Sequence, residues 1–107
     1  LGLVYGRGKA QLAWQSHSEV SFSMSQVKIT VISQEGYCGF HHKVGDTWVC
    51  GGTTPGGLCA SAYNAIYPTL RALGVGGTFD WGNEDGSVDM CCPDHKNPVV
   101  MRLEVTE

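Results

Sequence analysis

Cysteine and histidine are the residues of this chain whose types and spacing best suit chemistry. His42 follows Cys38 after three intervening residues, in a loop punctuated by glycines. In a turn, this separation lets one metal ion accept both a thiolate and an imidazole nitrogen. The sequence therefore indicates a cysteine- and histidine-centred pocket that either binds zinc or carries a reactive thiol. The residues expected to hold the metal are Cys38, His42, Cys59, Cys91 and Cys92.

Cys59 is the candidate for a catalytic thiol. It lies where the sequence predicts the start of a helix, and the unpaired N–H groups and dipole at such a position stabilise a thiolate. The alternative is that Cys59 simply packs against a sheet, since cysteine is among the most buried residue types. The sequence leaves both interpretations open.

Large aromatic side chains support a second kind of function. A glycine-rich segment over residues 75–86 carries two of them and could cover a small-molecule pocket. On this interpretation the protein is a non-catalytic binding or structural module that forms a homo-oligomer, and its cysteines are buried packing residues. The aromatic residues expected to line such a pocket are Trp48, Tyr67, Phe79 and Trp81.

Hydrophobic patterning predicts the elements that position these residues. Alternating β-branched residues predict strands, and the 3–4-residue spacing of apolar residues after Leu58 predicts a helix that Tyr67–Pro68 interrupts and Gly74 ends. The order β-β-α-β-β is typical of an α+β fold, with a mostly antiparallel sheet and one interrupted helix packed on a face. The predicted strands cover residues 27–32, 47–50, 87–91 and 99–105.

Composition restricts the class of protein. With 107 residues, of which 42% are hydrophobic and 16% charged, the chain suits a single α+β domain over residues 24–107, preceded by a leader or extra edge strand over 1–23. A net charge of −3 without a basic cluster argues against nucleic-acid binding. No apolar run approaches the ~20 residues that cross a bilayer. Five cysteines cannot all pair within the chain, which favours a reducing, cytoplasmic compartment.

Several short motifs occur in one order along the chain. They are Cys-x-x-x-His-Lys-x-Gly-Asp from Cys38, Pro-x-Gly-x-Cys from Pro55, Ile-Tyr-Pro from Ile66, Gly-Gly-x-Phe-x-Trp from Gly76, and Cys-Cys-Pro-Asp from Cys91 with Pro-Val-Val from Pro98.

Together these motifs resemble a family of small, uncharacterised bacterial and archaeal proteins, over roughly residues 27 to 105. The resemblance implies no activity, but it does imply that His42 is the imidazole that meets Cys38. The chain departs from the family pattern at His41 and His95, where glycine is usual, and each departure adds an imidazole close to a cysteine.

Overall fold

The computed structural model describes residues 24–106. The predicted leader or edge strand over residues 1–23 lies outside the described residues. Within them, the one helix is not long and apolar enough to cross a membrane.

Within residues 24–106, four strands form one antiparallel sheet, which confirms the predicted α+β fold. The strands are β1 (Val27–Gln34), β2 (Thr47–Cys50), β3 (Val88–Cys91) and β4 (Val99–Val105), and their order across the sheet is β2-β1-β4-β3. Strand β1 is longer than predicted because a bulge between Val31 and Ser33 lets it continue pairing with β4 as far as Gln34. Strand β1 leads directly into the loop that carries Cys38, and β4 follows the turn that carries Cys92.

One helix, α1 (Ala60–Gly74), packs across the sheet, and it contradicts the predicted interruption at Tyr67–Pro68. Pro68 lies inside the continuous helix. Proline removes the hydrogen bond to the carbonyl four residues earlier, that of Asn64, but both residues are exposed, so water can reach the freed carbonyl. Ile66 and Leu70 are fully buried on either side of Pro68, and their packing on the sheet keeps the helix continuous.

The core lies between α1 and one face of the sheet. Its largest fully buried side chains come from all the central elements: Val27, Ile29 and Val31 of β1, Met101 and Leu103 of β4, and Ile66 and Leu70 of α1. The opposite face of the sheet carries the ion pair in which Arg102 Nε donates to Asp89 Oδ1 over 2.8 Å. One face of the sheet is thus apolar and covered, and the other is more polar.

The loop between β1 and β2 is fixed at both ends. At its start, the Tyr37 N–H donates to Asn97 Oδ1 over 2.8 Å, and Gly36 has a positive φ of 70°. A Cβ at Gly36 would collide with Asn97 Oδ1, so only glycine lets the loop approach the β3–β4 turn this closely. At its end, the Gly45 N–H donates to the Val31 carbonyl over 2.9 Å. The segment between them, which carries Cys38 and His42, is therefore held against the sheet.

Candidate functional site

A cavity of about 380 Å³ opens where three segments meet. The β1–β2 loop, the start of α1 and the turn between β3 and β4 each contribute a cysteine to its wall. The lining residues that matter for chemistry are Cys38, His42, Cys59, Ser61, Cys92 and Asp94. This volume suits a small organic molecule at the low end of the usual range for ligand pockets.

The structure brings together four of the five residues predicted to hold a metal. Cys38, His42, Cys59 and Cys92 all line the cavity, whereas Cys91 does not. Successive residues of a strand point to opposite faces, so Cys91 at the end of β3 is exposed, while Cys92 packs against the core. Partial burial is the main cause of a raised pKa for the Cys91 thiol, and the neighbouring Cys92 raises this pKa further.

The fifth cysteine, Cys50, belongs to the core and not to the cavity wall. It is 1% exposed at the end of β2, and its Sγ lies 3.8 Å from the Tyr63 hydroxyl of α1. Burial and this hydrogen bond raise the pKa of Tyr63 to about 12. Cys50 therefore has a packing role. The interpretation of the sequence as a non-catalytic module expects this role for all five cysteines.

Cys59 is the N-cap of α1, immediately before the first helical residue. Its carbonyl accepts the first hydrogen bond of the helix from the Tyr63 N–H over 2.9 Å, and its side chain makes no capping hydrogen bond. The first turn of α1 contains no acidic residue. The leading N–H groups of a helix have no intrahelical acceptor, so the positive end of the helix dipole at Cys59 is not neutralised by a side chain.

His42 joins the β1–β2 loop to the start of α1. The ring is only 6% exposed, and its Nε2 accepts the Cys59 backbone N–H over 3.1 Å. A neutral imidazole that accepts at Nε2 carries its proton on Nδ1, so this contact defines the tautomer. The ring also packs edge-on against Trp48, with the ring centroids 4.9 Å apart. His42 thereby fixes Cys59 relative to the loop that carries Cys38.

Cys92 is held in the β3–β4 turn by backbone hydrogen bonds. Its Sγ accepts the Val99 N–H over 3.3 Å, and its own N–H donates to the Val99 carbonyl over 2.9 Å. The turn itself is closed by Asp94, whose Oδ1 accepts the Lys96 and Asn97 N–H groups over 3.1 and 3.2 Å. Hydrogen bonds from the Asn97 side chain and the Lys96 N–H lower the pKa of Asp94. The carboxylate is therefore used within the turn.

The aromatic residues predicted to form a ligand pocket do not line this cavity. Trp48 packs against His42, Tyr67 against Tyr63 with centroids 5.4 Å apart, and Phe79 against Trp81 with centroids 4.9 Å apart. The aromatic wall of the cavity is instead Phe40, which the sequence reasoning passed over although it lies inside the Cys-x-x-x-His motif.

Ser61 is a second lining residue that the sequence reasoning missed. A signal for it existed, because a residue two positions after a helix N-cap lies in the exposed first turn, next to the cap.

No ready metal-ligand set is formed within residues 24–106: no three His, Cys, Asp or Glu side chains come together closely enough to hold a metal ion. Two of the expected ligand atoms already have partners, because His42 Nε2 accepts the Cys59 N–H and Cys92 Sγ accepts the Val99 N–H. The three cysteines that line the cavity are thus separate thiols around a common space and do not form a cluster of metal ligands.

No protein-family model, curated protein or solved structure matches the chain.

Proposed function

We propose that this protein carries out thiol chemistry on a small molecule bound in the cavity, with Cys59 as the reacting thiol. The observation that supports the proposal is that three thiols, a buried imidazole and the start of a helix converge on one cavity. Scattered packing cysteines, of which Cys50 is an example, would not share a solvent-accessible space.

Cys59 lies at the start of α1, whereas the other two cysteines of the cavity wall lie in a loop and a turn. A negative charge at a helix N-terminus is stabilised by the dipole and by the unpaired N–H groups of the first turn. No acidic side chain in that turn competes for this stabilisation, and no capping bond occupies the Cys59 sulfur. The thiolate is the nucleophilic form of cysteine, and Cys59 is the cysteine of the cavity wall that lies at a helix start.

The walls of the cavity favour an uncharged molecule. Phe40, Ala62 and Val99 supply apolar surface, and among the residues that the structure describes no Lys or Arg lines the cavity. An anionic ligand would therefore lose its hydration without gaining a cationic partner. A small, largely apolar electrophile fits these walls better.

The test is the alkylation rate of each cysteine by iodoacetamide at neutral pH, followed by peptide mass spectrometry. Because it lies at the helix start and its sulfur makes no capping hydrogen bond, Cys59 is expected to react about tenfold faster than N-acetylcysteine in the same tube. Cys91 is expected to react more slowly than N-acetylcysteine despite its exposure, because its pKa is raised. The fast phase should disappear in Cys59→Ser and persist in Cys38→Ser and Cys92→Ser.

Serine makes this variant a well-matched control for folding. It is a preferred N-cap residue, so Cys59→Ser is expected to retain the start of α1. A Cys59 that reacts no faster than N-acetylcysteine, or a fast phase that maps to another cysteine, would contradict the proposal.

Zinc binding is the second candidate function, because Cys38, Cys59, Cys92 and His42 are all residue types that bind zinc and all line one cavity. Binding would require His42 Nε2 or Cys92 Sγ to exchange its present hydrogen bond for the metal. Elemental analysis of protein purified without chelator or metal-affinity resin checks this prediction. Stoichiometric zinc that protects these three thiols from alkylation is expected if the metal is bound, and metal-free protein with a fast Cys59 would exclude it.

A further inference from the structure

Resting on the proposed function, we infer that the molecule reduced in the cavity is an alkyl hydroperoxide. Cys59 attacks the peroxide, and Cys92 then forms a disulfide with the oxidised Cys59. The two cysteines line the same cavity from different elements, Cys59 at the start of α1 and Cys92 in the β3–β4 turn. This arrangement supplies one thiol to react and a second to complete a two-electron reduction.

The cavity walls select the class of oxidant. Disulfides and hydroperoxides are common oxidants of protein thiols, and the common low-molecular-weight disulfides carry charged carboxylates. The lining residues within the described chain include no Lys or Arg to receive a carboxylate, whereas Phe40, Ala62 and Val99 can contact an apolar body. A cavity of about 380 Å³ has room for a small alkyl or aryl hydroperoxide.

In the first step, the Cys59 thiolate attacks the terminal oxygen of the hydroperoxide. A sulfur–oxygen bond forms, the oxygen–oxygen bond breaks, and its electron pair leaves on the alkoxide, which takes a proton to become the alcohol. Cys59 is oxidised to a sulfenic acid while the peroxide is reduced. The Ser61 hydroxyl lines the cavity in the first turn of α1, where it and the leading N–H groups can stabilise the developing alkoxide.

In the second step, Cys92 attacks the sulfur of the sulfenic acid. A sulfur–sulfur bond forms, the sulfur–oxygen bond breaks, and hydroxide leaves with the Cys92 proton as water. Cys92, and not Cys38, takes this step because the backbone of the β3–β4 turn holds its Sγ in place: the sulfur accepts the Val99 N–H over 3.3 Å and donates to the Asn97 carbonyl over 3.9 Å. A small dithiol then reduces the disulfide by exchange and restores both thiols.

The experiment uses the reduced full chain and one equivalent of cumene hydroperoxide. We expect Cys59→Ser to consume the hydroperoxide about 100-fold more slowly than the unaltered protein, since the serine hydroxyl does not carry out this oxidation. The unaltered protein should lose the mass of two hydrogen atoms and yield a Cys59–Cys92 linked peptide. Cys92→Ser should stop at a Cys59 sulfenic acid, which dimedone traps.

Cys91→Ser is the matched control, because Cys91 adjoins Cys92 but lies outside the cavity, and it should behave like the unaltered protein. Fast alkylation of Cys59 without hydroperoxide consumption would overturn the inference and leave the proposed function standing. Slow alkylation together with slow consumption would overturn both. A disulfide from Cys59 to Cys38 would overturn the assignment of Cys92.

Discussion

Replacing His42 by alanine is expected to lower the free energy of unfolding by about 3 kcal/mol, the sum of a lost buried acceptor and a cavity beside Trp48. The Cys59 N–H would lose the acceptor that it now has at 3.1 Å, and the ring contact with Trp48 at 4.9 Å would be removed. Chemical denaturation monitored by circular dichroism measures the change. Because His42 is 6% exposed, neither loss is readily compensated by water.

The same substitution is expected to slow alkylation of Cys59. His42 acts on Cys59 through a hydrogen bond to its backbone N–H, so its role is that of a positioning residue. His42→Gln offers an amide oxygen as a replacement acceptor and should recover part of both the stability and the alkylation rate. His41→Asn is the neighbouring control: His41 is exposed with a φ of 61°, a conformation that asparagine tolerates.

An equal loss of stability in His42→Gln and His42→Ala would show that ring packing, and not the hydrogen bond to Cys59, is what His42 contributes. A full loss of stability with an unchanged Cys59 rate would contradict the positioning role.

Local patterns were sufficient to predict most of the fold. The alternation of Val27, Ile29 and Val31 marked a buried strand face, and the structure buries all three. The interruption at Pro68 was wrong because a local rule was applied without its tertiary context. The cost of proline in a helix depends on whether the freed carbonyl can reach water, and this depends on which face of α1 the sheet covers.

The candidate site was predictable in part. The spacing of Cys38 and His42 indicated that they lie near each other, and the pattern of helix signals placed Cys59 at a helix start. Sequence could not decide between Cys91 and Cys92, because their order along the strand does not reveal which of the two faces the core. That choice depends on the register of β3 against β4, in which Cys91 pairs with Val100.

The role of His42 was not predictable as the structure has it. Sequence spacing suggested that His42 binds a metal ion together with Cys38, whereas the imidazole accepts the backbone N–H of a residue 17 positions further along the chain. Such a contact requires the loop and the helix start to be packed together, which is decided by the whole core.

Ile66→Ala is expected to lower the free energy of unfolding by about 2–5 kcal/mol, the range for removing a large aliphatic side chain from a packed core. Ile66 is 0% exposed, and it lies on the face of α1 that covers the sheet. At about 4–8 °C for each kcal/mol in a domain of this size, thermal denaturation should show a midpoint at least 8 °C lower. Asn64→Ala, on the exposed face of the same helix, should not lower stability and should raise it by up to about 0.7 kcal/mol, because alanine is the best helix former.

This core variant also separates folding from chemistry at the site. Ile66 does not line the cavity, so at a temperature where the variant is still folded its Cys59 should be alkylated at the unaltered rate. His42→Ala, in contrast, is expected to reduce both stability and rate. If Ile66→Ala slowed Cys59 as much as His42→Ala does, the reactivity of Cys59 would depend on the general stability of the domain, and the specific contact from His42 to the start of α1 would have no role of its own.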